Sequence, residues 1–182
     1  MLGRVDETVR LMVEKAEPLG WSYSNKGVGI FFGGLLAALT QCNTDGTIIH
    51  ELLKGYVISR YSYYTSETNF SDSDRVIYDE IIHGLKDISV DESQKKRWFN
   101  IVRKLGGKRI DEIVSNQRRK SYNKAAEVLA ALMESYHLTD QSVTASSLLT
   151  TYRNDKYKRY PAFRREVDSV LNRSKALKTL KH

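Results

Sequence analysis

Along almost the whole chain, apolar residues return every three or four positions, and nowhere do they alternate at period two for long enough to make a strand. Leu2, Val5, Val9, Met12, Val13 and Ala16 predict a first helix that ends near Pro18–Gly20. Residues 28–41 are rich in Gly and Ala and apolar on every side, which predicts a central, buried second helix. Ile48, Ile49, Leu52, Leu53, Tyr56, Val57, Tyr61 and Tyr64 outline a third. Ser71, Ser73 and Asp74 then offer capping oxygens to a fourth, which carries Val76, Ile77, Ile81 and Leu85.

A fifth helix is expected after "SVDES", through Trp98, Phe99, Val102 and Leu105, stopping at Gly106-Gly107, where a left-handed cap costs little. Ile110, Ile113 and Val114 make a short sixth. The clearest stripe is Tyr122, Ala125, Ala126, Leu129, Leu132, Met133 and Tyr136, a seventh helix, and residues 143–152 follow as an eighth. Pro161, at a first-turn position where its missing N–H is no loss, opens a ninth through Phe163, Val167, Val170 and Leu171. The expected fold is all-α: an irregular, α-solenoid-like stack of antiparallel helical hairpins, about nine short helices in all. One helical domain would span residues 1–171, with the second helix as its pivot and Trp98, Phe99, Tyr122, Leu129 and Phe163 as anchors of the C-terminal packing. Residues 172–182 form a basic tail that is expected to fray.

Composition narrows the class. With 41% hydrophobic and 28% charged residues among 182, the chain has the make-up of a folded protein, not a disordered one. Its most apolar run, residues 28–39, is well short of the roughly 20 residues that cross a bilayer, so no membrane partner is expected. Within that run, Gly29-x-x-x-Gly33 suits two helices that cross closely. The single Cys42 cannot form an internal disulfide, and a reducing, cytoplasmic setting is expected.

The net charge of +7 conceals an asymmetry: residues 1–94 carry −6 and residues 95–182 carry +13. Such a division steers an anionic partner to one end or lets two copies meet head to tail. One cationic cluster holds Lys95, Lys96, Arg97, Arg103, Lys104, Lys108, Arg109, Arg118, Arg119, Lys120 and Lys124, opposed only by Asp111 and Glu112. A second, Arg153, Lys156, Lys158, Arg159, Arg164 and Arg165, is interleaved with Tyr152, Tyr157, Tyr160 and Phe163. Cations neutralise phosphate and aromatic rings offer stacking surfaces, which suits a nucleic-acid backbone. The plainer reading makes the cations a solvated or protein-facing rim and Tyr152, Tyr160 and Phe163 core anchors.

Catalytic templates are scarce. Glu80-Ile-Ile-His83 and Glu134-Ser-Tyr-His137 share the Glu-x-x-His spacing of di-iron carboxylate bundles, where Glu14 or Glu51, and Glu112, would complete the set. Metal ligands in a bundle must point inward, yet at 100° per residue Glu80 and His83 lie opposite the Ile77, Ile81, Leu85 stripe and Glu134 lies off the stripe of the seventh helix. No metal or other cofactor is therefore expected. A phosphate-binding glycine loop, His-Glu-x-x-His and a Gly-x-Ser-x-Gly elbow are all missing from the sequence.

"RRKSYNKAAEVLAALMES" and "SLLTTYRNDKYKRYPAFRREVDSVL" together resemble the helical C-terminal regions that follow SWIM-type zinc fingers in some bacterial proteins. In those regions a basic lead-in, Tyr-x-x-Ala-Ala-x-x-Leu and an Arg-Arg-x-x-Ala-Phe-like segment recur in helix pairs. The Cys-x-Cys and Cys-x-His ligands of the zinc finger are missing here, so no site residue carries over. The resemblance implies a helical scaffold that meets its partner with a surface instead of a pocket. The expectation is a noncatalytic scaffold or interaction module with a basic C-terminal face, binding a protein partner or a second copy of itself. The alternative is a basic subunit of a nucleoprotein complex that grips DNA or RNA backbone.

Overall fold

Residues 26–61 and 72–178, together with positions 7, 10 and 14, are described by a computed structural model. The helical periodicity of the sequence is realised as seven α-helices and no strand among the described residues. They are α1 (Lys26–Leu39), α2 (Ile48–Tyr61), α3 (Asp72–Lys86), α4 (Glu92–Ser115), α5 (Tyr122–His137), α6 (Ser142–Leu149) and α7 (Pro161–Arg173). A short 3-10 turn, Arg119–Ser121, leads into α5, and α6 continues as a π-helical stretch, Thr150–Lys156. The first predicted helix lies outside the described residues except for Glu7, Arg10 and Glu14, which are helical and exposed. Their spacing of three and four matches the polar side of that prediction.

The fifth and sixth predicted helices are one. Asp91 opens α4 with a capping box, accepting the Gln94 N–H at 2.8 Å while the Gln94 side chain accepts the Asp91 N–H at 3.1 Å. The helix then runs straight through Gly106-Gly107, the expected stop. A Cβ on Gly106 would meet Leu132 Cδ1 at 2.7 Å, and one on Gly107 would meet the Tyr152 hydroxyl at 2.8 Å. The glycines therefore serve close packing of α4 against α5 and the π-helical stretch, and intrahelical hydrogen bonding carries the backbone past them.

Gly29 and Gly33 serve α1 in the same way. A Cβ on Gly29 would sit 2.7 Å from the Tyr56 ring, and one on Gly33 would sit 3.1 Å from Leu53, so α2 crosses α1 at these two positions. Helix α1 is buried almost all round, through Val28, Phe32, Leu35, Leu36 and Leu39, as its uniform apolarity predicted.

The pivot, however, is α5 and not the second predicted helix. It packs against α1, α2, α4, α6 and α7, and twelve of its sixteen residues are buried. A solenoid joins each unit only to its neighbours along one axis. A single helix in contact with five others is instead the centre of a cluster. The five anchors expected around it are all buried: Trp98, Phe99, Tyr122, Leu129 and Phe163. Phe99 stacks on Tyr136 with ring centroids 4.6 Å apart, and Phe163 meets Tyr122 edge to face at 5.9 Å.

The segment after α7 packs on the core. Helix α7 ends at Arg173, and the chain then docks back on the core with Ser174 and Leu177 buried. Lys175 lies against Gly46 of the α1–α2 loop, whose φ of 71° belongs to the left-handed region open to glycine. Within residues 174–178, Ser174 and Leu177 thus pack on the folded body.

Candidate anion-binding surface

Between Ser93 and Ile110, α4 has no acidic residue, and Lys96, Arg97, Arg103, Lys104 and Lys108 are all exposed along its outer side. Arg109, from the same cluster, is buried instead, and loss of solvent lowers its pKa from the usual arginine value. Lys95, Lys96, Asn100 and Arg103 form one wall of a groove of about 840 Å³. Gln41 and residues 138–141, Asp140 among them, form the other, and Glu92 also lines the groove. Glu92 pairs with Lys95 at 2.6 Å, so much of the charge inside this groove is already balanced.

Other expected anion contacts are committed to internal ion pairs. Lys156 reaches Asp111 at 2.8 Å, and Arg118 reaches Glu112 at 3.4 Å. Arg153 forks onto both carboxylate oxygens of Asp168 at 2.8 Å each, which raises its pKa further. Asp111 also accepts from the Tyr157 hydroxyl at 2.8 Å, tying the π-helical stretch and its following turn to α4. Burial and that hydrogen bond push the Tyr157 phenol well up. Arg164 is half-buried, its Nε enclosed without a hydrogen-bond partner, while Lys120, Lys124 and Lys158 are exposed.

The two cationic clusters meet at one place. Arg119 of the 3-10 turn, Arg159 before α7 and Arg165 on α7 line a concavity of about 460 Å³, together with Gln117, Tyr122, Tyr160 and Pro161. Among the described residues no acidic one lines it. Tyr122 is the buried aromatic of this lining; Tyr152 and Tyr160, expected as core anchors, are half-buried, and Tyr160 forms part of the wall. Arginines at 119, 159 and 165 were legible as charge, but their convergence was not. It depends on α7 packing along α5, and no local spacing announces that.

The Glu-x-x-His residues are not brought together. Glu80 and His83 are exposed on α3, and His137 Nδ1 is bonded to the Ser142 hydroxyl at 2.8 Å. Glu51 and Glu112 pair with Arg173 and Arg118. Among the described residues no group of three or more His, Cys, Asp or Glu side chains is placed to hold a metal ion.

Glu134 differs from the sequence expectation. Expected off the apolar stripe and facing water, it is fully buried, because α5 has neighbours on every side. Its two oxygens accept the N–H groups of Ile48 at 2.8 Å and Ile49 at 2.9 Å, and Oε1 also accepts the Ser174 hydroxyl. Thr47 accepts the His50 N–H at 3.1 Å, so the first three N–H groups of α2 are all satisfied. Burial pushes the Glu134 carboxyl above its ordinary range, with those donors opposing the rise. The carboxylate is a structural cap between helices.

Cys42 lies just after α1 with φ of 57°, and its Sγ points at the Ile82 carbonyl oxygen 3.8 Å away. Burial raises its pKa, the opposite of what activates a thiol nucleophile. Comparison of the chain with family models, with curated proteins and with solved structures found no match.

Proposed function

We propose that the protein is a noncatalytic helical interaction module whose basic C-terminal half holds an anionic partner. The observation that carries this reading is the exposed cation row of α4. Lys96, Arg97, Arg103, Lys104 and Lys108 follow one another without an intervening acid. From Lys96 to Lys108 the row is about 18 Å long at the rise of an α-helix, a match for an extended polyanion more than for a single small anion. The residues with catalytic potential support the noncatalytic half of the reading through what already engages them: Glu134 caps α2, and the Cys42 thiol is pushed away from ionisation.

A second reading, a basic subunit of a nucleoprotein complex, is favoured by the place where the two clusters meet. Arg119, Arg159 and Arg165 share one concavity with tyrosines in its wall, the pairing of cation and ring that suits phosphate and base. Retention on an immobilised polyanion tests the common core of both readings. Wild-type protein should elute late in a salt gradient and the variant Lys96→Glu/Arg103→Glu clearly earlier; equal elution of the two would refute a role for the α4 row.

A further inference from the structure

We propose that the concavity between the 3-10 turn and the start of α7 binds the terminal phosphomonoester of a nucleotide, presented as a mononucleotide or as the 5′ end of a strand. The proposal rests on the anion-binding reading above and gives it a particular ligand.

Arg119 of the 3-10 turn, Arg159 just before α7 and Arg165 on α7 all line this cavity, and among the described residues no carboxylate does. Unlike Arg118, Arg153 and Lys156, none of the three has an ion-pair partner among the described residues. A monoester carries close to two negative charges at neutral pH and three acceptor oxygens, and arginine forks bind such oxygens in pairs. An internal phosphodiester carries one charge and has fewer free oxygens, so it would leave one guanidinium unmatched.

Local structure adds to the same preference. Tyr160 precedes α7 without any side-chain cap, and the first turn of α7 carries no acidic residue. The positive end of α7 thus opens beside the arginines, and an anion seated there gains from it. Tyr160 is half-buried in the wall, and Tyr122, almost fully buried, also lines the cavity. Burial raises the Tyr122 phenol, while Arg119, which lines the same cavity, opposes that rise. An aromatic wall beside a phosphate seat favours a base over a peptide side chain. At about 460 Å³ the cavity has room for one nucleotide.

The test compares two single strands of one sequence, with a 5′-phosphate or a 5′-hydroxyl, binding to the full chain, with AMP as competitor. We expect the phosphorylated strand to bind about tenfold more tightly, since the monoester completes the arginine set. That preference should vanish in Arg119→Gln and in Arg159→Gln; both side chains are exposed, so an unchanged thermal midpoint is expected and serves as the folding control. Lys96→Glu/Arg103→Glu should weaken both strands alike and keep the preference. AMP binding that displaces the phosphorylated strand, or AMP binding alone, supports the site and separates its two sources. Equal affinity for the two strands without AMP binding overturns the pocket while leaving the α4 reading intact. A phosphotyrosine peptide binding more tightly than either nucleotide probe overturns the nucleotide assignment. Failure of every probe at low salt overturns both.

Discussion

The carboxylate of Glu134, in the middle of α5, accepts the backbone N–H of Ile48 at the start of α2, 86 positions away in the chain, at 2.8 Å. With Ile49 and Ser174 as further donors, this one side chain ties α2, α5 and the segment after α7 together. Both of its oxygens face donors.

Glu134→Gln keeps the shape but turns an NH₂ group toward one of those N–H groups. We expect a loss of about 1–3 kcal/mol, the cost of leaving a buried polar group unsatisfied, measured by chemical denaturation. The pH dependence has a definite sign. Because the folded-state pKa of Glu134 is raised, the folded chain holds the proton more tightly than the unfolded chain does. Its contribution is full below the ordinary glutamate range and is lost as pH rises through the raised value. The stability gap between wild type and Glu134→Gln should therefore narrow with rising pH over that window; a gap that widens would contradict the assignment.

Two glycines at helical positions should respond oppositely to alanine. Gly106→Ala drives a methyl toward Leu132 and Val128, and we expect a net loss of about 1–3 kcal/mol from overpacking despite the better helix propensity. Gly55, in α2, has nothing within 4 Å of a built Cβ, so Gly55→Ala should gain about 0.5–1 kcal/mol. Thermal unfolding of the two variants reads both signs directly.

Leu177 distinguishes a docked tail from a frayed one. It is 1% exposed, and Leu177→Ala should cost about 2–4 kcal/mol, within the range for buried leucines. Lys178→Ala, at the exposed next position, should stay within about 0.5 kcal/mol of wild type. Equal and negligible effects in denaturant titrations would mean that the tail is not part of the core.

What the sequence made legible is what a single helix decides. Pro161 marked the start of α7, the α5 stripe was correct as far as it went, and Gly29 and Gly33 read as a crossing point. Errors arose where a second element decides. Gly106-Gly107 reads locally as a helix stop, but Leu132 and Tyr152 require the missing side chains while α4 continues. Glu134 falls off the stripe on a helical wheel, yet Val128, Ala130 and Ala131 share that off-stripe surface, and the run from Ala125 to Tyr136 contains no cation. Small and apolar residues on every side were the available sign of a central helix. For the candidate site, the cations were visible individually; their division into internally paired groups and a convergent set required the packing of α7 on α5.

The most direct measurement is binding of the purified chain to short single- and double-stranded DNA and RNA and to polyglutamate, titrated across salt. We expect micromolar or tighter binding to at least one of these polyanions, with log affinity falling linearly against log salt. The slope should shrink in Lys96→Glu/Arg103→Glu as phosphate or carboxylate contacts are lost. No binding to any polyanion at low salt, or an affinity and slope unchanged by those two reversals, would contradict an anionic partner on the basic half.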